Sequence, residues 1–338
     1  MSLQTLWFVL LGVLLAGYAV LDGFDLGVGI LHPWARDDRE RRLLMNSIGP
    51  VWDGNEVWLV TFGGALFAAF PEAYATAFSS FYLPFMLLLF ALVFRAVSME
   101  FRSKRESPAW RKAWDISFFL SSLTASFLFG VAAGNLIGGL PISADKEFAG
   151  SSLGLLRPYA LLAGVLTVSL FALHGALYLN LKTTGDLQLR VEGWARRAFG
   201  VFFALFLLFA AATLRGVPRI LSTSGRMPGL WAVAALGVLA LVNIPLSISR
   251  RRPGTAFVSS SVLIATLVAL FGATLYPNLV VSTLDPAWNL TVANAASSEK
   301  TLAVMAVIAA VGMPFVLGYT AYLYWVFRGK TELDKASY

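Results

Sequence analysis

Residues 5–31 read TLWFVLLGVLLAGYAVLDGFDLGVGIL, an apolar run that meets only two charges, Asp22 and Asp25, near its end. About 20 apolar residues suffice for a helix to cross the hydrocarbon core of a bilayer. This run has the length of a membrane span and lacks the short alternation of a barrel strand. It does not read as a cleavable signal. No basic residue precedes it, and its aspartates fall where a signal core is apolar.

The same reading gives eight more spans, at about 51–70, 77–99, 115–138, 156–179, 198–214, 227–248, 256–276 and 301–327. The longest connections, about 139–155 and 278–300, are too short for a hydrophilic domain. The expectation is an all-α polytopic membrane protein, residues 1–338 forming one integral membrane domain. Nine spans can divide into two four-helix bundles plus one further helix. No internal repeat or low-complexity segment stands out.

Composition agrees. Of 338 residues, 58% are hydrophobic and 13% charged, against about 25% charged in a soluble domain. That excludes a water-soluble enzyme and a disordered chain. The absence of cysteine excludes disulfides, iron–sulfur clusters and thiolate zinc sites. Only His32 and His174 are left as imidazole ligands. No phosphate-binding glycine loop or metal-ligand spacing is present.

The net charge of +7 fits either nucleic acid or the basic loops of a membrane protein, and the placement of the basic residues decides. Nineteen of the 26 lie on one side, in the first, third, fifth and seventh connections and the C-terminal tail with Lys335. Six lie on the other side, Arg219 and Arg226 among them, and Arg95 is inside a span. The N-terminus is therefore expected outside and the C-terminus in the cytoplasm, with no nucleic-acid partner.

Charges in hydrocarbon are costly and usually mark function or a buried partner. Asp22 and Asp25 are three apart, on one helical face. Gly23 and Gly27 make a small-xxx-small pair, with Gly29 beyond, that admits a close neighbouring helix. Such acids suit a proton path or a cation site, and equally a structural hydrogen-bond anchor. The second span opens Val51-Trp52-Asp53-Gly54-Asn55-Glu56. Asp53 and Glu56 again share a face, near the positive end of the helix dipole, although Asp53 could serve only as an N-cap.

With the first helix entering from outside, these acids all lie in the cytoplasmic half, with Arg95, Glu100 and Asp115. Arg95 reads as a counter-ion or as a snorkelling side chain. His174 reads as hydrogen-bonded to a neighbour, His32 and Trp34 as interface markers, and Arg36–Arg42 as a solvated loop.

Longer strings carry a resemblance. Leu21–Gly29, Arg41-Arg42 followed by Asn46–Leu59, and Gly63–Pro71 resemble subunit II of cytochrome bd-type quinol oxidases, including the cyanide-insensitive branch. Phe101–Lys104, Trp110-Arg111 with Trp114-Asp115, Gly130–Asn135, Thr184–Leu187 with Arg190, Phe257-Val258 with Ser260, and Tyr276-Pro277 through Ser297-Ser298 extend it over nearly the whole chain.

The resemblance implies a bacterial plasma-membrane complex that oxidises quinol and reduces dioxygen to water, taking its protons from the cytoplasm. It implies two four-helix bundles plus a peripheral helix. The haems, b and d or only b-type in some members, belong to the partner, subunit I, and this chain binds none directly. Some members add a small single-helix subunit or a structural quinone, and lipid surrounds the whole.

The family's Trp-Asp-Gly proton path carries over to Trp52 and Asp53, and its first-helix acids to Asp22 and Asp25. Glu56 stands where some relatives have Gln. Arg95, Glu100, Asp115 and Asn135 are the expected polar network. Subunit I is expected against the glycine face of the first helix, or the first bundle generally. The rival readings are a proton- or cation-coupled secondary transporter, whose ion sites would sit at broken helices near the midplane, and a purely structural scaffold subunit.

Overall fold

The computed structural model describes residues 1–217 and 229–333. Arg219, Arg226 and Lys335 fall outside the described residues, as does the start of the seventh expected span.

Helix α1, Leu3–Leu31, starts on Ser2, whose hydroxyl accepts from the Thr5 amide at 3.2 Å. It runs through the centre of the molecule, and its second half is almost wholly buried. The other helices are α2 Asp38–Ile48, α3 Trp52–Ala69, α4 Pro71–Ser80, α5 Tyr82–Arg102, α6 Pro108–Gly138, α7 Pro158–Lys182, α8 Gly185–Gly216, α9 Gly229–Ser249, α10 Pro253–Leu275 and α11 Glu299–Val326. Eight of them are long and apolar enough to cross a membrane among the described residues. Helix α3 joins them structurally, although Asp53, Asn55 and Glu56 crowd its first turns.

Helices α1, α3, α5 and α6 form one bundle, and α7, α8, α9 and α10 form the other. The bundles join along α1–α7 and α6–α7, while α11 lies outside against α1 and α3. Close approach makes the join possible. A Cβ built on Gly27 would sit 1.9 Å from the Phe171 carbonyl oxygen, and one on Gly175 would sit 2.4 Å from the Gly27 carbonyl carbon. The α1 glycines are thus used inside the chain, Gly23 against Phe171 and Gly29 against Ser122 of α6. That overturns the expectation of a partner on the glycine face of α1.

Three boundaries depart from the hydropathy reading, one of them the fourth run, expected from 115 and helical already from Pro108. The third run, expected from 77, begins inside α4, and the long helix starts only at Tyr82. The sixth, expected from 198, starts at Gly185. Its first turns bury only Leu187, Val191, Trp194, Ala195 and Ala198, a narrow stripe among polar residues. An amphipathic extension of this kind scores as loop in a hydropathy window. Arg36–Arg42 is likewise no free loop. Asp37 caps α2 by accepting from the Glu40 amide at 2.8 Å, and Leu44, Met45 and Ile48 bury its apolar face.

At the end opposite α2, the two longest connections fold on each other. The Leu140 amide donates to the Val281 carbonyl at 2.9 Å, and the Thr283 amide returns to Leu140 at 2.8 Å. A short antiparallel pair, Asn278–Val280 with Leu290–Thr291, completes this cover. Leu140, Ile142 and Leu290 are fully enclosed beneath it. It closes that end and leaves the buried charges near the other.

Candidate functional site

Helices α3, α5 and α11 bring side chains to the C-terminal half of α1. Position 22 of α1 faces α5, and there the Arg95 guanidinium lies with Nη1 2.7 Å from Asp22 Oδ1. Its Nη2 reaches Glu56 of α3. Asp22 and Arg95 are fully buried, and Glu56 is largely so. Arg95 is therefore a counter-ion held between two acids and does not snorkel.

One turn on, Asp25 accepts from Asn55 Nδ2 at 2.7 Å. The same amide group lies 3.2 Å from the Leu21 carbonyl. The Tyr324 hydroxyl of α11 donates to Asn55 Oδ1 at 2.9 Å. Two carboxyl groups thus share one guanidinium, and a third, Asp25, has only a neutral amide beside it. The Tyr18 hydroxyl, Asp22 Oδ2, Asp25 Oδ1 and Arg95 Nε are buried without a protein hydrogen-bond partner. Buried polar atoms are normally satisfied, by water where protein does not reach.

Asp53 stands apart from this cluster. It is exposed on the outer face of α3, three residues from Glu56 and next to the half-buried Trp52. It does not cap the helix, whose cap position is Val51.

A second charged group ties the ends of four helices together. Asp115 of α6 accepts from Arg102 Nε at 2.6 Å, and His32 Nε2 lies 2.6 Å from the same oxygen. Arg41 Nη1 is 3.4 Å from Asp115 Oδ2. Asp38 of α2 takes Arg102 at 2.8 Å and Arg111 at 3.2 Å. His32 is enclosed at 1% exposure, so it is no interface marker. A buried carboxylate recruits every nearby donor, because an unpaired charge in this setting is strongly unfavourable.

Two expected network residues lie elsewhere. Glu100 is exposed near the end of α5. Asn135 is buried at the opposite end of the molecule, where it donates to the Leu155 carbonyl at 2.8 Å and accepts from Arg157 at 2.9 Å.

Iron ligation finds poor footing here. Both ring nitrogens of His174 are taken, Nδ1 by Ser260 at 2.7 Å and Nε2 by the Val20 carbonyl at 3.0 Å. His32 spends Nε2 on Asp115, and its Nδ1 is enclosed. Sequence reading gave no role to Asn55, Tyr18 or Tyr324. Asn55 sits between Asp53 and Glu56, which was a usable signal. Tyr324 comes from the far end of the chain, and nothing local announces it.

Residues 3–327 match the family described as cytochrome bd terminal oxidase subunit II. The chain belongs to that family. Curated relatives include cytochrome bd-I ubiquinol oxidase subunit 2 of Escherichia coli (strain K12), 38% identical, with 97% of this chain and 95% of the relative covered. Cytochrome bd ubiquinol oxidase subunit 2 of Bacillus subtilis (strain 168) is 39% identical over 98% of this chain and 97% of its own length. Among solved structures, a chain of the bd oxidase from Geobacillus thermodenitrificans superposes with a TM-score of 0.79. It covers 97% of this chain and 99% of its own, at 20% identity, and so speaks for the fold. This subunit II chain is therefore a multi-pass membrane protein of a respiratory oxidase family.

Proposed function

We propose that this chain supports the haem-bearing subunit I of a quinol:oxygen oxidoreductase and carries protons to it from the cytoplasm. Electron carriers and oxygen chemistry lie in subunit I. The complex sits in the bacterial plasma membrane, with the N-terminus of this chain outside and its C-terminus in the cytoplasm.

The observation that carries the proton role is the excess of acids over bases around Arg95. The guanidinium offsets the charge of Asp22 or Glu56, while Asp25 faces a neutral Asn55. Full ionisation of all three acids would leave uncompensated charge in a low-dielectric interior. The cluster is therefore a place where a proton is held and exchanged. Asp53 and Trp52, on the first turn of α3 ahead of Glu56, are the entry to it, and the buried Tyr18, Asp22 and Asp25 oxygens without a protein partner suit water as the carrier inside. Asn55 and Tyr324 orient Asp25.

Subunit I covers the outer face of α3 and the flank of α11 in this reading. Asp53 would otherwise meet lipid, and α11 exposes most of its apolar surface in the single chain.

The test replaces one carboxyl. Asp53→Asn in the complete oxidase lowers quinol-driven oxygen uptake while the haem spectrum stays that of the unaltered complex. Full uptake with intact haems would remove the conduction role. Loss of the haems would move Asp53 to assembly and favour the scaffold reading.

A further inference from the structure

A cleft of about 430 Å³ opens between the last turn of α1 and the first turns of α6, at the end of the fold where α2 lies. One side of it is basic, with Arg41 and Lys112. The other is apolar, with Ile30, Ile116 and Leu120. Ile116 and Leu120 are half exposed, and so is Trp34 at the rim.

The two cations are not used up within the chain. Asp115, the acid in the cleft wall, takes its short contacts from Arg102 and His32. Arg41 is held only at 3.4 Å, and a third of its side chain is exposed. A guanidinium has five N–H donors, so most of those on Arg41 are free for a ligand. Lys112 has no ion-pair or hydrogen-bond partner among the described residues. The other nearby carboxylate, Asp38, is occupied by Arg102 and Arg111.

Position then selects the ligand. The cleft lies where α1 ends and α6 begins its apolar course, the level at which aromatic and basic side chains meet headgroups. Basic pockets between membrane helices suit acidic headgroups. We infer that this cleft binds an anionic phospholipid, its phosphate on Arg41 and Lys112 and an acyl chain along Ile116 and Leu120. A free phosphate matches the cations but leaves the apolar wall uncovered. A zwitterionic lipid brings an ammonium group against Lys112. The inference rests on the membrane reading of the chain and is independent of the proton route.

The test uses the complete oxidase complex in mild detergent, equilibrated with equal amounts of phosphatidylglycerol and phosphatidylcholine. Bound lipid is counted by native mass spectrometry. The unaltered complex retains phosphatidylglycerol selectively. Lys112→Glu lowers the ratio of retained phosphatidylglycerol to phosphatidylcholine about tenfold, and Lys112→Gln lowers it less. Lys104→Glu, an exposed charge on the same side that does not line the cleft, leaves the ratio unchanged. Equal retention of the two lipids by the unaltered complex overturns the inference, as does unchanged selectivity in Lys112→Glu. Displacement of the phosphatidylglycerol by inorganic phosphate alone would make this a simple anion site and also overturns it.

Discussion

Arg95 concentrates the physical argument at the scale of single residues. It is fully buried and bridges α1 and α3 through Asp22 and Glu56. Removing one partner of a buried ion pair costs about 3–5 kcal/mol, because the remaining charge is stranded. Arg95→Gln strands two carboxylates, so little assembled oxidase is expected, read as haem absorbance per milligram of purified complex. Arg95→Gln combined with Asp22→Asn removes charge on both sides and recovers part of that yield. No recovery would mean that Arg95 acts through packing and not through charge. Gly27 makes the complementary point without charge. Its Cβ would collide with the Phe171 backbone, and overpacking costs about 1–3 kcal/mol. Gly27→Ala lowers the melting temperature of the complex. Gly193→Ala, where a Cβ meets nothing within 4 Å, leaves it unchanged or raises it slightly, since alanine favours a helix over glycine by up to about 1 kcal/mol.

Elements show what the sequence could and could not reveal. The apolar runs are visible because hydropathy and length alone define a membrane helix. Helix α2 and the first turns of α8 are not, because their stability comes from contacts that windows cannot see. The Glu40–Arg190 ion pair joins those two elements. It holds the Glu40 carboxyl below its ordinary range, through the Arg190 hydrogen bond. The sign follows from linkage: stability from this pair is fully present above the usual glutamate value of about 4.3 and is lost as pH falls below it. Arg190→Gln therefore destabilises the fold at neutral pH by about 1 kcal/mol or less, as fits a partly exposed pair, read as a lower melting temperature, and the difference from the unaltered complex disappears in acid. A difference that persisted in acid would show that Arg190 acts by packing. The site was legible to the same degree as the helices. Asp22, Asp25 and Glu56 announced themselves as charges in apolar runs. Tyr324 did not, because its role exists only once α11 lies against α3. His32 sat beside an Arg-rich stretch, and only the fold reveals Asp115 beneath it.

At the scale of the whole molecule, the fold has two unlike ends. One carries α2, the Asp115 and Asp38 ion pairs and most of the basic residues. The other carries the cover built from Leu140–Phe148 and Asn278–Thr291. Basic residues collect on the cytoplasmic side of membrane proteins, so the proposed orientation has α2 inside the cell and the cover outside. The chain contains no cysteine, so a single introduced thiol reports on its own position without background from this subunit. Ser152 is exposed beside the cover, and Glu106 is exposed in the connection between α5 and α6. With Ser152→Cys in intact cells, a membrane-impermeant maleimide labels this subunit. With Glu106→Cys it does so only after the membrane is inverted. The reverse pattern would turn the chain over. It would place Asp53 and Glu56 near the outer surface, and a path that draws protons from the cytoplasm could not begin there.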